Sequence, residues 1–376
     1  MSIHPVQPDD LHHMRAALSL AARGLGTTWP NPAVGCVIVR DGAVVGRGWT
    51  QPGGRPHAET EALARAGDSA RGATAYVTLE PCNHHGKTPP CSEALIAAGV
   101  RRVVVACQDP DPRVAGGGLR RLKEAGLEVV VGVCAAEALA LNRGFFSRIS
   151  EDRPLYTLKL ATTLDGRIAT RTGASQWITG PTARAWGHGL RARHDAIMVG
   201  IGTALADDPE LTCRLPGLEH RSPVRIVVDS RLRLPLNSRL AKGARDVPTW
   251  IVAREDADAA RLQAFADCGA EVIPVPADAA GLPDLAAAGA ALAGRGLTRV
   301  LVEGGATLAA SLLRAGLVDR LEWFRAASVI GGDGTAAVAG FGLDRLDGMP
   351  GFERVSVRHA GADLAESYVR QAVPPA

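Results

Sequence analysis

The chain has 376 residues, 46% hydrophobic and 22% charged, with a formal net charge of +3; that length fits two domains, and so small a charge argues against a nucleic-acid or membrane partner. Seven irregularly spaced cysteines make no disulfide framework in so long a chain and favour a reducing cytoplasm. Met1 to Gly24 lacks a basic segment leading into an apolar one, and no apolar run approaches a membrane span, so neither a signal peptide nor an anchor is expected.

Asp9-Asp10, then Leu11, Met14, Leu18 and Ala21 at helical spacing, predict a helix ending at Gly24. Residues 34–39 read as a buried strand, Asp41-Gly42 as a hairpin turn and 43–46 as the returning strand. A helix is expected over 57–66 and a strand over 75–79, with Cys82 directly after it. Ser92 is expected to cap a helix running to Ala98 and closed by Gly99. Strands at 103–106 and 129–131 flank a helix around 119–125. The polar run 148–154 marks a seam between domains 1–150 and 151–376. Beyond it, strands are expected at 156–160, 196–199, 224–228, 249–252, 271–275 and 300–302, with helices over 181–192, 257–266, 282–293 and 308–314. Helices alternating with apolar strands give an α/β fold class, with sheets covered on both faces.

His57-Ala58-Glu59, then Pro81-Cys82 and Cys91, supply one imidazole and two thiols. Three protein ligands leave one corner of a tetrahedral zinc open for water. Zinc lowers the pKa of that water from about 15.7 to about 7, worth on the order of 12 kcal/mol in generating hydroxide. Glu59 is the expected proton carrier, taking a proton from the water, passing it to a ring nitrogen and protonating the departing amine. Positions i and i+2 of a regular helix do not share a face, so His57 is expected at or just before the first turn. Zinc deaminases of nucleobase-like rings use this residue set.

Eight residues, 83–90, separate the two cysteines, where the commoner deaminase signature has two, so the bridge is expected to be a loop. Within it His84, His85 and Lys87 can contact a polar or phosphorylated substrate. Two plainer readings compete. His84 or His85 as a fourth ligand would make the zinc structural and leave Glu59 without a role; alternatively, both cysteines are core thiols. A nucleic-acid-editing deaminase would need a basic patch and stacking aromatics, yet three tyrosines and six tryptophans are spread along the chain. A zinc-stabilised binding protein without catalysis is the remaining rival.

The second half lacks a G-x-G-x-x-G fingerprint, since Gly200-Ile201-Gly202 is followed by Thr203-Ala204-Leu205. Gly304-Gly305-Ala306-Thr307, between a strand and a helix, is a better candidate for a cofactor phosphate, or else a tight turn with no ligand.

Several runs resemble one family: Asn31-Pro32-Ala33-Val34-Gly35, His57-Ala58-Glu59, residues 78–91, residues 159–167, Ser175-Gln176-Trp177-Ile178-Thr179, Ala206-Asp207-Asp208-Pro209 and Val302-Glu303-Gly304-Gly305. Together they are similar to the bifunctional riboflavin-biosynthesis deaminase–reductases, whose own pattern includes the wide cysteine gap. The resemblance implies a cytidine-deaminase-like domain followed by a dihydrofolate-reductase-like domain. It implies zinc-dependent deamination of 2,5-diamino-6-ribosylamino-4(3H)-pyrimidinone 5′-phosphate, then NADPH-dependent reduction of the ribosyl chain to ribityl. Zn2+ and NADPH are the implied cofactors, phosphorylated pyrimidines the partners, and a homo-oligomer is expected.

By the same resemblance His57, Cys82 and Cys91 bind zinc, Glu59 carries protons, Asn31 bonds substrate beside the metal and Lys87 holds its phosphate. Ala161, Trp177, Thr203, Asp207 and Ser230 fall on the cofactor; Ser175, Arg191, Leu211, Arg214 and Glu303 fall on the substrate. Lys159 and Asp165 are expected to orient or polarise the sugar, and Ser230 with Arg231 to recognise the 2′-phosphate of NADPH. The chain departs from the family at Ala327, where proline is usual, and altered local rigidity is expected there.

Overall fold

Valine-rich runs build a five-stranded sheet in the first part of the chain, from β1 (Gly35–Arg40), β2 (Ala43–Trp49), β3 (Thr74–Val77), β4 (Arg102–Val105) and β5 (Glu128–Val131), in the order β2-β1-β3-β4-β5. The computed structural model describes residues 6–84, 89–111, 115–340 and 342–371. It divides into two units, Met1–Asp152 and Arg153–Ala376. In the first, β1 runs antiparallel to β2 and β3, while β3, β4 and β5 are parallel. Among the described residues, five α-helices accompany the sheet: α1 (Pro8–Ala21), α2 (Ala58–Ala66), α3 (Cys91–Ala97), α4 (Gly117–Glu124) and α5 (Ala135–Ser150). Met14, Val37, Ile38, Leu79, Leu95 and Leu122 are buried in one core.

Two glycines decide where α2 lies. A Cβ on Gly48 would come 2.1 Å from the Ala58 carbonyl oxygen, and one on Gly46 would come 2.3 Å from that of Ala62. The helix backbone therefore rests directly on β2, which fixes the start of α2. His57 is its N-cap residue with extended backbone angles (φ −72°, ψ 160°). The periodicity conflict between His57 and Glu59 disappears because only Glu59 is inside the helix. Farther along the sheet, Arg102, 2% exposed, donates two hydrogen bonds to the buried Asp10 at 2.7 and 2.9 Å and a third to Glu128 at 2.8 Å. Removing one partner of such a buried pair costs about 3–5 kcal/mol, because the other charge is stranded.

The second unit is built on nine strands: β6 (Leu155–Thr162), β8 (Ala196–Gly200), β9 (Val224–Val228), β10 (Thr249–Arg254), β11 (Glu271–Val275), β12 (Arg299–Val302), β13 (Val318–Arg325), β15 (Phe352–Ala360) and β16 (Asp363–Arg370). Their order is β11-β10-β9-β8-β12-β6-β13-β16-β15, parallel from β11 to β13 and closed by the antiparallel β15–β16 hairpin. The short strands β7 (Arg167–Ala169) and β14 (Thr335–Ala336) pair separately. The helices are α6 (Pro181–Arg191), α7 (Ile201–Asp207), α8 (Arg239–Lys242), α9 (Ala259–Cys268), α10 (Leu285–Gly294) and α11 (Ala306–Arg314). β12 returns late in the chain to lie between β6 and β8, so strand order reverses there. In open parallel sheets, ligands bind beyond the carboxyl ends of strands at such a switch point.

The α/β alternation expected from the sequence is present, with corrections. Ser92 does not cap α3: that helix starts at Cys91 after Pro90, and the Ser92 hydroxyl donates to the Cys82 carbonyl at 3.1 Å and to Asn83 Oδ1 at 2.8 Å. The helix expected over 282–293 starts at Leu285, because Asp284 accepts from the amides of Ala286 and Ala287. The helix expected over 257–266 starts at Ala259, capped likewise by Asp258. Helix α5 and the strands from β13 onward were not expected.

Candidate functional site

In the first unit, β3 and the turn after it deliver Cys82, α3 begins on Cys91, and the N-cap of α2 delivers His57. His57 Nδ1 lies 3.3 Å from Cys91 Sγ and 3.7 Å from Cys82 Sγ. Among the described residues these three form the cluster of metal-ligating side chains, their ligand atoms all within 4.8 Å of one another. With usual Zn–N and Zn–S bond lengths, a tetrahedral edge between nitrogen and sulfur is about 3.6 Å. The observed separations fit such an edge, and the soft donor set suits zinc.

The protonation of the triad also fits a cation. A hydrogen bond from the Cys91 thiol, helped by His57, lowers the Cys82 thiol to about 4, and sharing that proton pushes Cys91 well up. One thiolate and one thiol thus share a proton that a binding metal displaces. Glu59, 3% exposed, stands beside them. Burial, reinforced by the charge of Cys82, raises its carboxyl to about 7, so it can both accept and donate a proton near neutral pH.

The triad opens on a cavity of about 300 Å³ lined by Asn31, Arg55, Glu59, His84, Asp111 and Arg148, among others. Gly54, at φ +84°, makes room for Asn31: a Cβ there would lie 1.9 Å from Asn31 Nδ2. His84 reaches the cavity without joining the metal-ligand cluster, and among the described residues its buried Nδ1 has no hydrogen-bond partner. Lys87 and His85 lie outside the described residues.

Sequence reasoning missed two residues that hold this cavity together. Glu80, buried, accepts from the backbone amides of Asp109, Gly116, Gly118 and Leu119 at 2.9–3.3 Å, tying the Cys82 turn to the start of α4. Asn142 on α5 clamps Ala33, accepting from its amide at 3.0 Å and donating to its carbonyl at 2.9 Å, next to Asn31-Pro32. A buried polar residue on a helix's apolar face was the available signal for Asn142.

In the second unit Lys159 on β6, Thr203 on the helix after β8 and Glu303 just past β12 lie toward the carboxyl ends of neighbouring strands. Glu303, just past β12, accepts a bidentate pair from Arg191 at 2.7 and 2.9 Å, and Lys159 Nζ stands 3.7 Å away. Burial alone would raise the Glu303 carboxyl, but Arg191 and Lys159 outweigh it and hold it at about 2. Arg191 also donates to the Thr212 carbonyl at 2.9 Å, beside the buried Leu211. The Arg214 amide donates to His188 Nδ1 at 3.2 Å, and its exposed side chain pairs with Glu210.

Gly304 and Gly305 have φ of +106° and +89° and precede Ala306 and Thr307 at the start of α11. A Cβ on Gly305 would lie 3.3 Å from Thr203 Oγ1, so this turn and α7 face each other. Lys159, Arg191 and Glu303 are joined by direct contacts, as Thr203 is to the glycine turn. Separate elements carry the others: Ala161 on β6, Ser175 and the 67% exposed Trp177 between β7 and α6, Asp207 at the end of α7, and Ser230 beyond β9. Asp165 is engaged within its own loops, accepting from Thr163 Oγ1 at 2.6 Å and from the amides of Ile330 and Gly331 at 3.2 and 2.8 Å. Those bonds hold its carboxyl at about 2. Ala327 is exposed in the same region, where the Leu164 amide donates to the Ser328 carbonyl at 2.8 Å.

Comparison with known proteins agrees with this geometry. The family described as cytidine and deoxycytidylate deaminase zinc-binding region matches residues 7–107, and the RibD C-terminal domain matches residues 154–366. The riboflavin biosynthesis protein RibD of Escherichia coli (strain K12) is 44% identical over 366 residues, covering 94% of this chain and 98% of its own. That of Aquifex aeolicus (strain VF5) is 39% identical over 361 residues, covering 96% and 98%. Among solved structures, Acinetobacter baumannii RibD superposes with a TM-score of 0.87 at 38% identity, covering 97% of this chain and 99% of its own. A Thermotoga maritima diaminohydroxyphosphoribosylaminopyrimidine deaminase/5-amino-6-(5-phosphoribosylamino)uracil reductase follows at 0.84 and 33%, covering 96% and 99%. With zinc-deaminase chemistry in one unit, a reductase sheet in the other and relatives matching nearly end to end, the chain belongs to the RibD family of bifunctional riboflavin-biosynthesis enzymes.

Proposed function

We propose that Met1–Asp152 deaminates 2,5-diamino-6-ribosylamino-4(3H)-pyrimidinone 5′-phosphate, and that Arg153–Ala376 reduces the resulting 5-amino-6-(5-phosphoribosylamino)uracil. The observation carrying the first step is the His57–Cys82–Cys91 triad beside a buried carboxylate in a ring-sized cavity. These three side chains hold zinc, which when bound supplies hydroxide at neutral pH. Glu59 moves protons from the attacking water to the ring nitrogen and then to the leaving ammonia. Asn31 and His84 bind the ring or its ribose, and Lys87 takes the phosphate.

NADPH, when bound, supplies the hydride for the second step. Gly304, Gly305, Ala306 and Thr307 present backbone amides to its pyrophosphate, with Ala161, Trp177, Thr203, Asp207 and Ser230 along its length. Arg191 and Arg214 bind the substrate phosphate, together with Ser175, Leu211 and Glu303. Lys159, held by Glu303, stands ready to donate a proton to the opened sugar. Asp165 acts by organising the 328–331 loop. Arg231 beside Ser230 recognises the 2′-phosphate.

The seven cysteines are all free, which supports a reducing cytoplasm, and no helix among the described residues is long and apolar enough to cross a membrane. Exposed Val355 and Val357 on the edge strand β15 support a homo-oligomer.

The test is turnover of the purified, zinc-loaded chain. The diaminopyrimidine phosphate should release ammonia without NADPH, and added NADPH should then be consumed. Ammonia release that requires NADPH would contradict the assignment.

A further inference from the structure

We infer that Arg184 is a positioning residue for the reductase cofactor: it holds Trp177 by one ring face, so that the other face is offered to a flat heteroaromatic ring. The inference rests on the reading of Trp177 as a cofactor contact and adds the group that aims it.

Trp177 is 67% exposed, although indoles are on average highly buried. Its neighbourhood is nonetheless built. The Arg184 guanidinium carbon lies 4.7 Å from the Trp177 ring centroid, within cation–π range. That guanidinium is itself fixed, because Arg184 Nη1 donates to the Thr179 carbonyl at 2.9 Å. The end of the loop is tied down again where the Gly180 amide donates to Asp363 Oδ2 at 2.6 Å; both Thr179 and Asp363 are buried. An anchored loop therefore carries an exposed ring stacked on a cation from the first turn of α6, and that cation is in turn bonded to the Thr179 carbonyl just before the helix.

Leu164, Leu205 and Val329 are also exposed, on segments that come after the carboxyl ends of β6, β8 and β13. Like the indole, they are apolar groups on segments beyond the carboxyl ends of the sheet's strands, which fits a planar, partly apolar ligand. Arginine suits the aiming role because its planar group stacks on an indole and donates sideways at the same time. Lysine keeps the charge and loses the stack.

The experiment compares Arg184→Ala, Arg184→Lys and Trp177→Ala in the full-length, zinc-loaded chain, with ammonia release as an internal control for folding. Arg184→Ala should raise the KM for NADPH about five-fold with kcat little changed, since a binding face is misaligned while the chemistry is intact. Arg184→Lys should fall between it and the parent, and Trp177→Ala should raise the KM at least as much as Arg184→Ala. If Trp177→Ala raises the KM while Arg184→Ala leaves it unchanged, the positioning role is overturned and the cofactor reading stands. If Trp177→Ala leaves the KM unchanged, both fall.

Discussion

Glu59→Gln should lower ammonia release by about 10²–10⁴-fold, the usual worth of a positioned acid–base group, while the chain keeps its zinc. Glutamine matches glutamate in shape but cannot hold and return a proton. Glu59 lies outside the ligand triad, so its loss spares the metal. It is buried, and burial with the charge of Cys82 raises its carboxyl above the ordinary value, which suits a group that takes and returns a proton. NADPH-dependent reduction of the deaminated substrate should persist in the variant. A zinc-stabilised binding protein predicts no ammonia release from either chain, and full deaminase turnover by the variant would remove Glu59 from the mechanism.

Arg191→Ala should abolish reduction and destabilise the second unit by about 3–5 kcal/mol, because it strands the buried Glu303 carboxylate. Arg191 is the only bidentate partner that the described residues give Glu303, and Lys159 at 3.7 Å is a weaker substitute. The sign of the pH dependence follows from the depressed Glu303 carboxyl. Its folded value of about 2 lies below its ordinary value of 4.5. The contribution is therefore full above about pH 4.5 and is lost as pH falls toward about 2. Its size in the parent is on the order of 3 kcal/mol. Urea unfolding at a series of pH values should show that acid-dependent loss in the parent and a flattened profile in Glu303→Gln. An unchanged profile in Glu303→Gln would place the acid sensitivity elsewhere.

The parts of this molecule legible from sequence are those where local chemistry and tertiary role agree. His57, Glu59, Cys82 and Cys91 announce themselves because an imidazole and two thiols with a carboxylate close by suit a metal site, and the structure brings the three side chains together. The start of α2 was also legible, with His57 at its N-cap as expected; the structure adds the reason, two glycines that let the helix backbone rest on β2. Helix α5 was missed because Asn142 and Gly144 interrupt its apolar face, and Asn142 is there to clamp the Asn31 segment. The β15–β16 hairpin was missed because β15 is largely exposed and shows no buried alternation. Ser92 reads as a cap by type, yet its hydroxyl serves the Cys82 turn from inside α3. The Asp165 carboxylate ties its own loop to residues 330 and 331, a partnership distant in sequence that no local pattern announces. Arg184 is an ordinary helix arginine by sequence; only its position over Trp177 marks it.

X-ray absorption at the zinc edge, on chain purified with zinc present, bears on the central claim most directly. One metal per chain, bound by one nitrogen, two sulfurs and one exchangeable light-atom donor, is the predicted result. A fourth donor from the protein, or a chain that binds no zinc, would contradict it.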